Sequence, residues 1–377
     1  MILAIDASNI TTGGGITHLV ELLKKINTSD IMVNKVYVWS SQRTLDKIPE
    51  FSYLFKRTHK WLNRGVLLRF LWQKTYLPKQ AKLNNVDILL LPAGNDIRFS
   101  PTISMCQNLL PFENAEKARF GLSLTRIRLE VLKLIQLRSF KNAEGVIFLS
   151  DYSKRKVENM SVSMKNCVVI PHGVSEIFET LRVKSNEEFN DTTNILYVSS
   201  IDQYKHQWNV VKAVYDLIDQ HYKIKLTLIG PQNPKSMLAL NKAINVRIEY
   251  SDNIVVIDKL EYNQLPSYYG QADLFVYASS CETFGMTVLE AMRARLPIAC
   301  SSMSSMPEIL GDTGIYFDPL DIDSIGQALK FFLDDKNIQN EYAFQAYRRS
   351  KKYSWEKCAN QTIEFISDTL KAYNERN

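Results

Sequence analysis

The chain has 377 residues, of which 45% are hydrophobic and 23% charged, and it contains no low-complexity tract. Compact domains hold about 100–200 residues, so this is a soluble, globular composition sized for two domains, and it excludes a disordered chain. No apolar run approaches the roughly 20 residues that cross a bilayer, which excludes a spanning helix.

The net charge of +6 is unevenly spread: residues 1–173 carry 25 Lys and Arg against 13 Asp and Glu, a net +12, which leaves −6 for the remainder. Five scattered cysteines (Cys106, Cys167, Cys281, Cys300 and Cys358) form no Cys-x-x-Cys pair, a pattern of reduced thiols in the cytosol rather than a disulfide frame or a zinc site. The opening MILAIDASN reads as a buried strand and not a signal peptide, so a cytoplasmic location is expected. Of the five histidines, His18 falls on the first helix and His172 in a turn, while His59, His206 and His221 read as surface residues. None stands at a metal-ligand spacing, so no metal is expected.

Strand-like runs alternate with helical patterns along the chain. ILAID (2–6) leads into a glycine-rich turn and the amphipathic HLVELLKKI (18–26), and KVYVWS (35–40) follows. Residues 51–86 then hold eight basic side chains and no acidic one, interleaved with aromatics. That mixture suits an anionic membrane surface, or a solvated basic helix pair; nucleic acid is the least favoured partner. VDILLLPAG (86–94), TISMC (102–106), a helical pattern over 117–142 and GVIFLS (145–150) complete the first series. NILYVSS (194–200), KLTLIG (225–230), IVVID (254–258), LFVYAS (274–279) and LPIACS (296–301) form the second, with helices between. Two such series predict two doubly wound parallel sheets. The expected division is 1–173, a polar linker at 174–193, a second domain at 194–355 and a terminal helix at 356–377.

Four segments carry candidate chemistry. In SSCETFGMTVLEAM a strand ends near Ser279, a loop holds Glu282, and a helix starts near Gly285 and carries Glu290. Unpaired N–H groups at such a helix start attract phosphate, and Glu290 lies about a turn and a half further in, roughly 7 Å along the axis. A carboxylate there can accept from a ribose diol, and Glu282 from the hydroxyls of a sugar. The second segment is the turn Gly13-Gly14-Gly15 after the first strand, which lets backbone N–H groups crowd an anion; it is not the G-x-G-x-x-G of nicotinamide sites. The third is Ser199-Ser200-Ile-Asp-Gln-Tyr-Lys205, with Lys205 placed to pair with phosphate. The fourth is Gln107-Asn108 at a strand's carboxyl end. Asp321-Ile-Asp323 spells D-x-D, but in this position it reads as a loop or helix cap.

Taken in this order, the four segments resemble glycosyltransferase family 4, the retaining, group 1 enzymes of GT-B fold. The E-x7-E pair Glu282 and Glu290 is the most specific part, and LIGP (228–231) and IPHGV (170–174) also look like that family. The resemblance implies two Rossmann-like domains facing a cleft, with the C-terminal helix returning to the first. It implies a metal-independent hexosyltransferase that takes its sugar from a nucleotide diphosphate donor and passes it to a glycan or lipid-linked acceptor, with no cofactor, as in O-antigen, lipopolysaccharide or other surface-polysaccharide synthesis. Glu282, Lys205 and Gly15 would be catalytic. Gly14, Gly15, Asn108, Ser200, Lys205, Glu282, Phe284, Gly285, Met286, Thr287 and Glu290 would hold the donor. The chain departs from the family in having Gln107-Asn108 for His-Asp and Ser199-Ser200 for Gly-Arg. Those departures keep a non-catalytic nucleotide-sugar-binding subunit in view, beside an epimerase of the same fold.

Overall fold

The computed structural model describes residues 1–11, 13–26, 33–179 and 192–377. It consists of two units, residues 1–173 with 353–377, and residues 174–352. Most of the polar stretch expected as a linker, residues 180–191, lies outside the described residues.

The first unit is built on β1 (Ile2–Asp6), β2 (Lys35–Trp39), β3 (Leu54–Arg57), β4 (Ile88–Leu91), β5 (Thr102–Cys106), β6 (Gly145–Phe148) and β7 (Cys167–Val169), ordered β3-β2-β1-β4-β5-β6-β7. Every pairing is parallel. Helices on both faces of such a sheet leave no wet side, which is why β4 reads ILLL and is buried at every position. The second unit uses β8 (Thr193–Val198), β9 (Ile224–Ile229), β10 (Ile254–Ile257), β11 (Leu274–Tyr277), β12 (Ile298–Ser301) and β13 (Ile315–Phe317), ordered β10-β9-β8-β11-β12-β13 and again parallel. Both units are therefore doubly wound, Rossmann-like α/β folds.

In each sheet the winding reverses once, between β1 and β4 in the first unit and between β8 and β11 in the second. The loops leaving such a pair of strands diverge to opposite faces and open a crevice at their carboxyl ends. The candidate residues follow this rule: the glycine turn leaves β1, Lys205 follows β8, and Glu282 follows β11.

Three elements differ from the sequence reading. Part of the basic stretch is a strand, β3, at the sheet edge, where Lys56 and Arg57 help to keep an open ladder from pairing with another chain. The pattern over 117–142 is two helices, Asn114–Ala118 and Leu124–Asn142; Gly121 takes φ +56° between them and the Ser123 hydroxyl accepts the Arg126 N–H to start the second. The second strand after β11, Ile315–Phe317, sits unannounced within GIYFDP. Asp321 caps the helix Ile322–Leu333, accepting the Asp323 N–H at 3.0 Å, so the D-x-D is a helix cap.

The last helix, Trp355–Asn374, belongs to the first unit. Its Phe365 covers β6 so closely that a Cβ on Gly145 would lie 2.8 Å from the ring. Gly230, at the end of β9, takes φ +151°, and a Cβ there would stand 2.0 Å from the Ser199 carbonyl at the end of β8. Neither the backbone nor the carbonyl can yield, so Gly230→Ala is expected to destabilise the second unit by about 2–4 kcal/mol, read as a lower thermal midpoint; an unchanged midpoint would contradict the close approach.

Candidate active site

The second unit assembles its site from the two loops at the reversal. Lys205 ends a short turn, Gln203–Lys205, after β8, and is followed by His206 in the left-handed region at φ +50°. Glu282 lies in the loop that joins β11 to the helix Met286–Arg293. Hydrogen bonds stitch the two loops: the Ser280 N–H donates to the Tyr204 carbonyl at 2.9 Å, and His206 Nε2 pairs with the Ser280 hydroxyl at 2.9 Å. His206 is thus a buried joint, not the surface residue expected. The Glu282 backbone is clamped from the turn after β12, where Ser304 Oγ accepts its N–H at 2.8 Å and donates to its carbonyl at 2.7 Å.

Lys205 and Glu282 form an ion pair with each other. Lys205 is 6% exposed, also donates to the Tyr277 hydroxyl at 2.9 Å, and lies over the rings of Tyr204 and Tyr277. Burial works against its charge, but Glu282 beside it, together with Tyr204 and Tyr197, outweighs that and holds its pKa above the usual lysine value. On the other side, Ser279 Oγ at 2.7 Å, the Tyr277 hydroxyl at 2.8 Å and the Lys205 ammonium all donate to the one oxygen, Oε1. Oε2 receives none of these three and belongs to a partly exposed side chain, as an acceptor for sugar hydroxyls requires. Sequence spacing assigned these two residues to separate groups of a ligand; their mutual pairing was not foreseen.

Gly285 precedes the first residue of the helix at φ +96°, and a Cβ there would lie 2.4 Å from Met306 Cε. The glycine is needed for the turn itself, and the turn exposes the first N–H groups of an eight-residue helix. Phe284 is buried, while Met286 and Thr287 are partly exposed. Glu290 faces inward, 4% exposed, and accepts the Tyr269 hydroxyl at 2.9 Å. Burial pushes its carboxyl up to about 8, against the opposing pull of its hydrogen bonds to Tyr269 and Tyr262. Ser200 is held locally: its hydroxyl reaches Asp202 at 3.3 Å, and its carbonyl accepts from Gln207 at 2.8 Å.

In the first unit, Gly13 takes φ +66° and precedes the helix Gly14–Lys25. Gly14 is exposed, and Gly15 is packed beside Gln107, whose Oε1 would lie 3.6 Å from a Cβ. Gln107 in turn pairs through its amide with His18 Nδ1 at 3.0 Å. Asn108 is exposed and its Oδ1 accepts the Leu110 N–H at 3.1 Å, so its side chain shapes its own turn. A polar network escaped the sequence reading altogether. Asp6, buried at the end of β1, accepts from the Ser8 N–H at 3.1 Å, Gln73 at 2.9 Å and Asn95 at 3.0 Å. It braces the glycine turn against the loop after β4. An acid at the end of a buried strand was the available signal.

Residues 179–349, which include Lys205, Glu282, Gly285 and Glu290, match the family model of Glycosyl transferases group 1. The match lies within the second unit. O-antigen chain mannosyltransferase B of Escherichia coli is 39% identical over 99 residues, 26% of this chain and 26% of that one. The serotype-specific mannosyltransferase WbdA of Escherichia coli is 24% identical over 287 residues, 73% of this chain but 34% of its own length. The matched stretch therefore spans only about a quarter to a third of these relatives. Over the whole chain the fold is similar to that of sucrose-phosphate synthase from Thermosynechococcus elongatus, with a TM-score of 0.78 at 17% identity, covering 99% of this chain and 100% of that one. The fold class is GT-B.

Glu290 generates a test of its environment. Its folded pKa of about 8 exceeds that of a free glutamate, so between about pH 4.5 and 8 the folded state binds more protons than the unfolded state. Its contribution to stability is full below that window and is lost as pH rises through it. Against wild type, Glu290→Gln is therefore expected to gain on the order of 1–3 kcal/mol between pH 5 and pH 8.5 in denaturant titrations. A difference that stays flat with pH would show that the carboxyl titrates normally.

Proposed function

We propose that the chain is a retaining, metal-independent hexosyltransferase that moves a sugar from a nucleoside diphosphate donor to a glycan or lipid-linked acceptor in surface-polysaccharide synthesis. The observation that carries this reading is the Lys205–Glu282 pair beside a glycine-started helix, within a group 1 glycosyl transferase domain. Breaking the bond between sugar and diphosphate builds negative charge on the leaving oxygen. The Lys205 ammonium and the N–H groups at Met286 and Thr287 are fixed donors in a partly buried setting, where such stabilisation is strongest. Glu282 Oε2 takes hydroxyls of the sugar and Glu290 those of the ribose. Gly14, Gly15, Asn108 and Ser200 remain donor contacts carried by the family resemblance. In a retaining reaction of this kind the acceptor attacks from the leaving-group side and the departing phosphate takes its proton, so no protein base is assigned. The relatives named as mannosyltransferases make mannose the first hexose to try.

A panel of nucleoside diphosphate hexoses, each with lipid-linked glycan acceptor, tests this. One donor is expected to be consumed, with its anomeric configuration kept in the product. Glu282→Gln is expected to lose about 100-fold or more in turnover while circular dichroism stays native. An inverted product, or a variant with near-normal turnover, would defeat the reading.

The same proposal includes peripheral attachment to the inner membrane surface. In the basic stretch, the helix Val66–Thr75 leaves Val66, Leu67, Phe70 and Leu71 exposed. The helix Leu124–Asn142 adds an outward row, Leu124, Ile127, Val131 and Leu134, at helical spacing, with Arg126, Arg128, Arg138 and Lys141 exposed around it. Its one acid, Glu130, is taken by Lys117 at 2.6 Å. The two helices meet at Asp96, which accepts from Lys74 at 2.9 Å and Asn142 at 3.0 Å. Apolar rows with cationic flanks suit an anionic lipid surface. Co-sedimentation with anionic vesicles is expected at low salt, falling as salt is added and falling further in Ile127→Asp/Leu134→Asp; no binding at low salt would end the idea.

A further inference from the structure

Three potential ligands from three separate parts of the chain converge inside the first unit. His18 is carried by the helix Gly14–Lys25, His172 follows β7, and Cys358 lies in the first turn of the helix Trp355–Asn374. One ligand atom of each lies within 4.8 Å of the other two. Exposures are 1%, 5% and 3%, and the two imidazole rings are 4.6 Å apart. Among the described residues His18 Nε2 is buried with no hydrogen-bond partner, an unmet polar group that a ligand would satisfy.

The surroundings prepare these side chains for coordination. The other ring nitrogen of His18, Nδ1, is 3.0 Å from the Gln107 amide. The two orientations of an amide are isosteric, and in the one that presents Oε1 it accepts the Nδ1–H and leaves the Nε2 lone pair aimed at the cluster. The Gly173 N–H donates to the Cys358 sulfur. That contact depends on glycine, because a Cβ at Gly173 would stand 2.1 Å from the Trp355 nitrogen.

We propose that His18, His172 and Cys358 form a binding site for zinc. Zn–N bonds of about 2.0–2.1 Å and a Zn–S bond of about 2.3 Å place tetrahedral ligands about 3.3–3.7 Å apart, so the cluster contracts by about an ångström. On binding, the Cys358 S–H bond breaks, its sulfur bonds the metal, and the proton leaves to solvent; the imidazoles give lone pairs. A small anion, hydroxide or chloride, fills the fourth position and with the thiolate offsets the charge of the dication in this dry setting. The ion would tie the helix that carries Gly14 and Gly15 to the turn at His172 and to the terminal helix. The site stands whether or not the chain transfers sugar, because its test reads metal alone.

Chelator-dialysed protein is titrated with Co2+ and then Zn2+. One cobalt per chain is expected, with a thiolate-to-cobalt band in the near ultraviolet and the strong visible bands of four-coordinate cobalt, both abolished by zinc. Cys358→Ser should lose the near-ultraviolet band and weaken zinc binding by about 100-fold or more, and His18→Ala should weaken it similarly. Gln107→Ala, which removes the orienting amide, should weaken it by about 10-fold. Zinc affinity unchanged in Cys358→Ser would overturn the site. If a variant fails to fold, the wild-type spectrum decides: cobalt bound without a thiolate band, or not bound, equally overturns it.

Discussion

The second unit is organised by one electrostatic constraint, a buried lysine paired with a partly exposed glutamate at the point where the sheet reverses. Taking two charges out of water costs several kcal/mol each unless their remaining hydrogen-bonding capacity is met. Here it is met on one side only. Lys205 has Glu282, the Tyr277 hydroxyl and two aromatic faces, and Glu282 concentrates its donors on Oε1. Among the described residues, the three donors leave the second carboxylate oxygen, Oε2, to other groups, and the adjacent helix start presents its first N–H groups. A ligand rich in hydroxyls and phosphate oxygens is the complement of that remainder.

The reversal in the first unit is built from different chemistry. Asp6 is also buried at a strand end, but its partners are neutral amides and a backbone N–H, and burial raises its pKa against those hydrogen bonds. Such a network can fix a backbone turn without presenting charge. The same sheet position thus serves as a brace in one unit and as a charged site in the other, although both sheets wind alike.

Much of this was legible in the chain. Buried parallel strands read as continuous apolar runs, and Gly285 between a strand and an amphipathic octet announced a helix start with Glu290 inside it. The strand at Leu54–Arg57 was not legible, because an edge strand tolerates the very charges that argue against a strand elsewhere. His206 looked like a surface residue because nothing local buries it; the loop after β11, more than seventy residues on, does so. The His18, His172 and Cys358 cluster was invisible for the same reason, since metal-ligand spacing is a test of local motifs and these three come from distant segments.

The two glutamates that the spacing pairs are physically unlike, and the difference bears on how a donor is held. Glu282 sits on a loop, partly exposed, charge-balanced by Lys205, and keeps an oxygen free of those donors for an incoming group. Glu290 sits inside a helix face with Tyr269 as its donor, and burial disfavours its charged form. A ribose diol that donates two hydrogen bonds to Glu290 would favour the ionised carboxylate, so nucleotide binding and deprotonation of Glu290 are coupled in sign. Glu282 is held by a cation that is already in place. On the proposed donor placement, the nucleoside end would be completed by the ligand and the sugar end would be preorganised by the protein, which is where transfer would gain most from rigidity.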